Sequence, residues 1–181
     1  MNLSQQVKDS YMSFMVGGRH YAVCVIYVLE VVVADDISPL PGTPEYVEGI
    51  MNFRNEVLPV INMRKRLSIV DLNAQKNPNK YAVVFDIETQ AGQKRFCLLV
   101  DKVINVEEFT KNDIKTIDNL QNTASAAPYI KGVVNRDNGE FVYVIIPEKI
   151  ISKQDMESLQ NIMENSQIIN ENNENEGFEF F

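Results

Sequence analysis

The chain has 181 residues, 45% of them hydrophobic, and a formal charge of −8; that is enough apolar side chain for one substantial core or two small ones, not for two large independent domains. Seven of its 25 acids fall after Lys153, beyond which there is no lysine or arginine, so the body is nearly neutral and lacks the field that gathers phosphates, which argues against nucleic acid as a partner. No stretch approaches the roughly 18 uninterrupted apolar residues of a membrane span, and the first ten residues lack a signal-peptide pattern, so a cytosolic protein with no direct membrane insertion is expected.

In chain order, Met12, Phe14 and Val16 alternate with Ser13 and Met15 ahead of Gly17-Gly18, the pattern of a hairpin with a glycine turn. Tyr21 to Val33 is apolar at nearly every position and reads as one strand covered on both faces. Thr43-Pro44-Glu45 carries an N-cap, a proline for the first helical position and an acid for the helix dipole, which predicts a short helix ending near Gly49. Ile50 to Arg54 and Val57 to Met63 read as paired strands, with Pro59 marking an edge or a bulge because it has no N–H to donate.

Tyr81 to Ile87 and Phe96 to Val100 read as a further pair, and Val103 and Val106 continue the pattern past Asp101. Thr110 to Ala127 reads as a long connection. Tyr129 to Val134 and Phe141 to Ile146 flank Asn138-Gly139, a strong hairpin signal. The body is therefore all-β, with eight or nine short strands and one minor helix. Met156, Leu159, Ile162 and Met163 recur at helical spacing, predicting a C-terminal helix over 153–165. Residues 166–181 are Asn- and Glu-rich and read as disordered, ending in a possible docking tip of Phe178, Phe180 and Phe181.

Chemistry finds little purchase in the sequence. Cys24 and Cys97 sit in apolar runs, where a free cysteine behaves as a small hydrophobe. Neither has a second ligand at metal spacing, and His20 is the one histidine, so neither zinc nor any other cofactor is expected. His20 and Cys24 are the sharpest enzymatic pair, but four residues of strand separate them by roughly 13 Å, against the roughly 3 Å a thiol and its base need. Arg64-Lys65-Arg66 is the one basic cluster and reads as a solvated or salt-bridged face.

Several spaced motifs resemble the CheW family of chemotaxis adaptors over roughly residues 10–152. They are Tyr21-Ala22-Val23 with Val28-Leu29-Glu30-Val31, Pro39 to Ile50, Asn52-Phe53-Arg54 with Val57-Leu58-Pro59-Val60-Ile61, Val100-Asp101-Lys102-Val103, and Tyr129 to Val133. The family usually has glycine after the motif arginine. This chain has Asn55, the residue that best replaces glycine where φ must be positive.

The resemblance implies two small five-stranded barrels, similar to SH3 barrels, around a shared apolar core, with no catalytic residue. It also implies a groove that takes the helical tip of a methyl-accepting chemoreceptor, and other surfaces that meet the regulatory domain of the histidine kinase CheA, in arrays at the membrane. Arg54 matches the receptor-contacting arginine, with an intramolecular pair to Glu56 or another acid as its plain alternative. Val28 and Glu30, two apart on one strand and so expected on one face, match one groove wall; Val103 and Val106 match the other. A CheW-like scaffold of another receptor-controlled pathway, such as surface motility, is the runner-up; a small enzyme is the third reading.

Overall fold

Ten strands and two α-helices are seen among the described residues, in the order β1 (Asp9–Val16), β2 (Arg19–Cys24), β3 (Val28–Val33), β4 (Val47–Phe53), β5 (Glu56–Asn62), α1 (Met63–Arg66), β6 (Tyr81–Thr89), β7 (Gly92–Val100), β8 (Lys102–Phe109), β9 (Ile130–Asn135), β10 (Phe141–Ile145) and α2 (Lys153–Asn175). The computed structural model describes residues 9–69, 81–90, 92–116 and 128–175, with side chains as far as residue 165.

The strands form two five-stranded sheets, ordered β8-β1-β2-β10-β9 and β3-β6-β7-β5-β4. Read outward from β8 and from β3, the two repeat one plan: two antiparallel pairs, one parallel pair (β2 with β10, β7 with β5), and a closing antiparallel hairpin. This is the expected all-β fold of two SH3-like barrels. The chain lays down two strands of the first sheet, builds the whole second sheet, and returns to finish the first. Each sheet buries its own cluster. One gathers Met51, Leu58, Val60, Val84 and Leu99, the other Tyr11, Ala22, Phe109, Val134 and Val144. Phe14, Val23, Phe85, Phe96 and Leu98 are fully buried as well, and β1 touches β7, so both faces of the central strands are covered. Burying a side chain of this size contributes about 1.5–3 kcal/mol.

Three local expectations are corrected. The run from Tyr21 to Val33 is not one strand, because a 3-10 turn at Val25–Tyr27 ends β2 in the first sheet and starts β3 in the second. Nor is β3 covered on both sides: it is a sheet edge, with Leu29, Val31 and Val33 exposed. The helix expected over Thr43–Gly49 is absent, replaced by turns that lead into β4 at Val47. There the Thr43 hydroxyl donates backward to the Leu40 carbonyl (2.8 Å) instead of capping a following helix. The short internal helix is α1 instead, capped by Asn62, whose side chain accepts from the Lys65 N–H.

Pro59 lies on β5, an interior strand. It precedes Val60–Asn62, the stretch paired with β7, so its missing donor leaves that ladder intact. The bulge in this hairpin falls on the partner strand, between Val47 and Gly49. The basic triplet is engaged throughout. Arg64 grips Asp101 through Nε and Nη2 (2.9 and 2.6 Å), and Lys65 meets Glu48 (3.0 Å). Arg66 lies between the rings of Tyr46 and Tyr129 while its Nε donates to the Ile150 carbonyl (2.6 Å).

Residues up to Ile150 form one compact unit and those from Ile151 a second. In the second, α2 begins at the expected residue and runs to Asn175, ten residues past the expected end. Ser152 caps it by accepting from the Asp155 N–H (3.0 Å). Met156 and Leu159 on its apolar stripe are buried.

Candidate functional site

The motif arginine sits on the two-residue turn that joins β4 to β5. Phe53 on β4 pairs with Glu56 on β5, leaving Arg54 and Asn55 as the two central residues, with φ of 50° and 66°. Both angles are left-handed, the signature of a two-residue primed turn, in which asparagine is well tolerated. The family's glycine is thus replaced without loss of the turn.

From that turn the guanidinium crosses to the opposite edge of its own sheet: Arg54 Nη2 donates to Glu30 Oε2 on β3 at 2.5 Å. Its Cζ also lies 5.1 Å from the Phe53 ring centroid, where a cation meets the negative face of the ring. The side chains are 69% and 37% exposed, so the pair is open to exchange with a partner's groups. Glu56 is taken by Arg95 (2.8 Å), which also holds Asp86 (3.0 Å), so the intramolecular pair weighed from sequence forms with another acid, Glu30.

Two bulges decide which of the other residues stand together. On β3, Val28 pairs with Phe85 and Glu30 with Val84. Phe85 and Val84 are neighbours on β6 and point to opposite faces, so Val28 and Glu30 do too, with Leu29 as the inserted residue. The expectation that they share a face fails for that reason. On β8 a bulge does the reverse: Val103 pairs with Phe14 and Val106 with Met12, which places two valines three apart on the same face. Val103 is half-buried, whereas Val106 is 60% exposed.

The structure therefore joins Glu30 and Arg54 directly and puts Val103 and Val106 together on the edge of the other sheet. Sequence reasoning missed the apolar rim made by Ile26, Leu29, Val31 and Val33, all exposed. The signal was the same valine-rich run, which lacks the polar alternation that marks an open face. Phe178, Phe180 and Phe181 lie outside the described residues.

Among the described residues, the two cysteines and the histidine stand apart. Burial pushes the Cys97 thiol up to about 12, far from thiolate at neutral pH. Cys24 lines an open cleft with Tyr27 and Glu148. Burial, and next the hydrogen bond with Glu148, push the Tyr27 hydroxyl up to about 12. His20 is at the other end of β2 from Cys24. Among the described residues no His, Cys, Asp and Glu cluster has metal-binding spacing, and no helix is long and apolar enough to cross a membrane.

Fold and rim together define a two-barrel β module whose open sheet edges carry a motif ion pair and exposed apolar side chains. The family model described as CheW-like domain matches residues 10–155. The chain belongs to the CheW-like domain family. It is 27% identical over 152 residues to a protein named chemotaxis protein CheW of Treponema pallidum, covering 83% of this chain and 86% of that one. It is also 27% identical over 135 residues to Protein PilI of Pseudomonas aeruginosa, covering 74% and 71%. Among solved structures, scaffolding protein TtCheW from Thermoanaerobacter tengcongensis matches with a TM-score of 0.62 and 25% identity, over 77% of this chain and 90% of that one.

Proposed function

We propose that this chain is a non-enzymatic coupling adaptor of bacterial chemotaxis, working in the cytoplasm beside membrane-bound receptors and binding their signalling tips on one surface and the histidine kinase CheA on another. Membership of the CheW-like domain family supports the class. One observation carries the receptor site: the motif arginine is exposed at a sheet rim and paired with an exposed carboxylate on the far edge strand, β3. A helical tip arriving there offers carboxylates or end carbonyls that the guanidinium fork binds in two-pronged fashion. Val28, Val103 and Val106 supply apolar contact for the helix, the usual division of labour in helix-in-groove recognition.

The work done is linkage. An adaptor bound to both proteins passes a receptor change to the kinase only through differing affinity for the two receptor states. Weak single contacts suffice where many copies assemble, because avidity multiplies them. Capture on immobilised receptor cytoplasmic fragments tests the site. Arg54→Glu is expected to lose receptor capture while retaining CheA capture and native circular dichroism; undiminished receptor capture would remove Arg54 from the site. The likeness to Protein PilI, at the same percentage identity over a shorter match, favours one second reading, the same adaptor serving another receptor-controlled system. Which kinase the chain captures separates the two.

A further inference from the structure

The first sheet carries its own counterpart of the Arg54 tie. Aligning the sheets by strand order matches β8 with β3 and the β9–β10 turn with the β4–β5 turn. Arg136 in that turn reaches back to Glu107 on β8 through Nη2, as Arg54 reaches Glu30. The bridges repeat as well, with Lys115 opposite Val133 on β9 in one sheet and Ser38 opposite Ile50 on β4 in the other. In each barrel, then, an arginine from the last hairpin ties the two sheet edges together.

The first-sheet tie differs in being more enclosed and in touching the chain's one histidine. Glu107 also accepts from Ser13 Oγ at 2.5 Å, and Ser13 is fully buried. Arg136 Nη1 lies 3.3 Å from His20 Nδ1 and 3.5 Å from Glu140 Oε2, while His20 Nδ1 is 3.8 Å from the same Glu140 oxygen. Arg136 Nε is buried with no hydrogen-bond partner. Since the guanidinium has only donors, His20 Nδ1 must accept, which requires a neutral ring with its proton on Nε2.

We propose that His20 is the proton-operated member of this tie: proton uptake at Nδ1 turns an acceptor for Arg136 into a donor for Glu140, and so strips Arg136 Nη1 of both its acceptors. One proton enters from water, the Nδ1–H bond forms, and the hydrogen bond from Arg136 breaks. Glu140 exchanges Arg136 for the imidazolium. Arg136 is left on Glu107 alone, and the β9–β10 turn is held to β2 through Glu140 in place of Arg136.

The surroundings of His20 suit that exchange. Its cross-strand neighbours are Met15 on β1 and Val142 on β10, both uncharged. The facing charges are Arg136 and Glu140 from the turn and Glu107 from β8, with Arg19 next to it on β2 and Lys102 opposite Met15. A hydrogen bond from Asn138, with the Arg136 guanidinium beside it, holds the Glu140 carboxyl below its ordinary value against the opposing push of burial. Glu140 is therefore ionised throughout the range where histidines titrate, about pH 5 to 8.

Two-dimensional NMR of the full chain across that range tests the exchange. In wild type the His20 ring, the Arg136 Nε–H and the Gly139 and Glu140 amides are expected to shift with one common midpoint. His20→Gln, which keeps an acceptor that does not titrate in this range, is expected to lose the Arg136 and turn shifts. Glu140→Gln is expected to leave His20 titrating while shrinking the Arg136 shift. An Arg136 signal that stays still while His20 titrates would overturn the proposal, as would an unchanged Arg136 shift in His20→Gln.

Discussion

Arg54 and Glu30 are 24 positions apart in the chain, yet their charged ends meet at 2.5 Å across the open rim of one barrel. The pair fastens the β4–β5 turn to the far edge strand of the same sheet, and in the function we propose it also holds the motif arginine ready for a partner. An exposed pair contributes only about 0–1 kcal/mol to stability. Its structural and recognition roles are therefore separable.

Exchanging the charges separates them. Arg54→Glu alone sets two carboxylates face to face and is expected to cost up to about 1 kcal/mol, read as a small fall in the denaturation midpoint. The double variant Glu30→Arg with Arg54→Glu is expected to recover that stability and still fail to capture receptor fragments. Recovery of both would make the pair a structural tie with no part in recognition.

At the turn itself, Asn55 has a φ of 66°. Asn55→Gly is expected to leave the urea midpoint unchanged or raise it slightly. Asn55→Val forces a β-branched residue into left-handed backbone and is expected to cost about 1–3 kcal/mol, with matching weakening of receptor capture as Arg54 loses its aim.

Gly49 is a sharper constraint. Its φ is 152°, and a Cβ there would collide with the Ser38 carbonyl oxygen, whose N–H and C=O pair with Ile50. Gly49→Ala is expected to destabilise by more than about 1 kcal/mol, whereas Gly139→Ala, where nothing lies within 4 Å of the added atom, is expected to cost less. Urea denaturation of the two variants gives the comparison.

Much of this was legible in sequence. Periodicity is the local signal of a strand, so the hairpins at Gly17-Gly18 and Asn138-Gly139 and the start of α2 at Lys153 emerge directly. Periodicity carries no information about which sheet a strand joins. That is why Tyr21–Val33 read as one strand instead of two that part at a 3-10 turn, and why β3 read as covered. Bulges are equally silent. One inserted residue turned Val28 away from Glu30, and another brought Val103 and Val106 onto one face. Thr43-Pro44-Glu45 carried sound helix-start chemistry, but the β4–β5 pairing took up the following residues from Val47.

Acid sensitivity has an identifiable contributor in Glu48. Burial raises its carboxyl, but hydrogen bonds from Asn62 and Lys65 outweigh this and hold it below its ordinary value of 4.5. A carboxyl depressed in the folded state contributes stability above its unfolded value, and that contribution fades as pH falls through the folded one. Glu48→Gln is therefore expected to lower the denaturation midpoint at pH 7. The gap from wild type should close progressively below about pH 4.5.

The cysteines should differ in reactivity. Cys97 is fully buried with a raised thiol, and Cys24 is partly exposed. A colorimetric thiol reagent is expected to modify Cys24 in the native protein and both residues after denaturation. Equal rates in the native state would contradict the packing around Cys97.

Everything proposed about function comes down to bridging. Receptor cytoplasmic fragments are immobilised, CheA is added, and the retained kinase is measured with and without this chain. Retention that depends on wild-type chain and is lost with Arg54→Glu is the expected result. Kinase held equally well without the chain, or no kinase held with it, would contradict the adaptor.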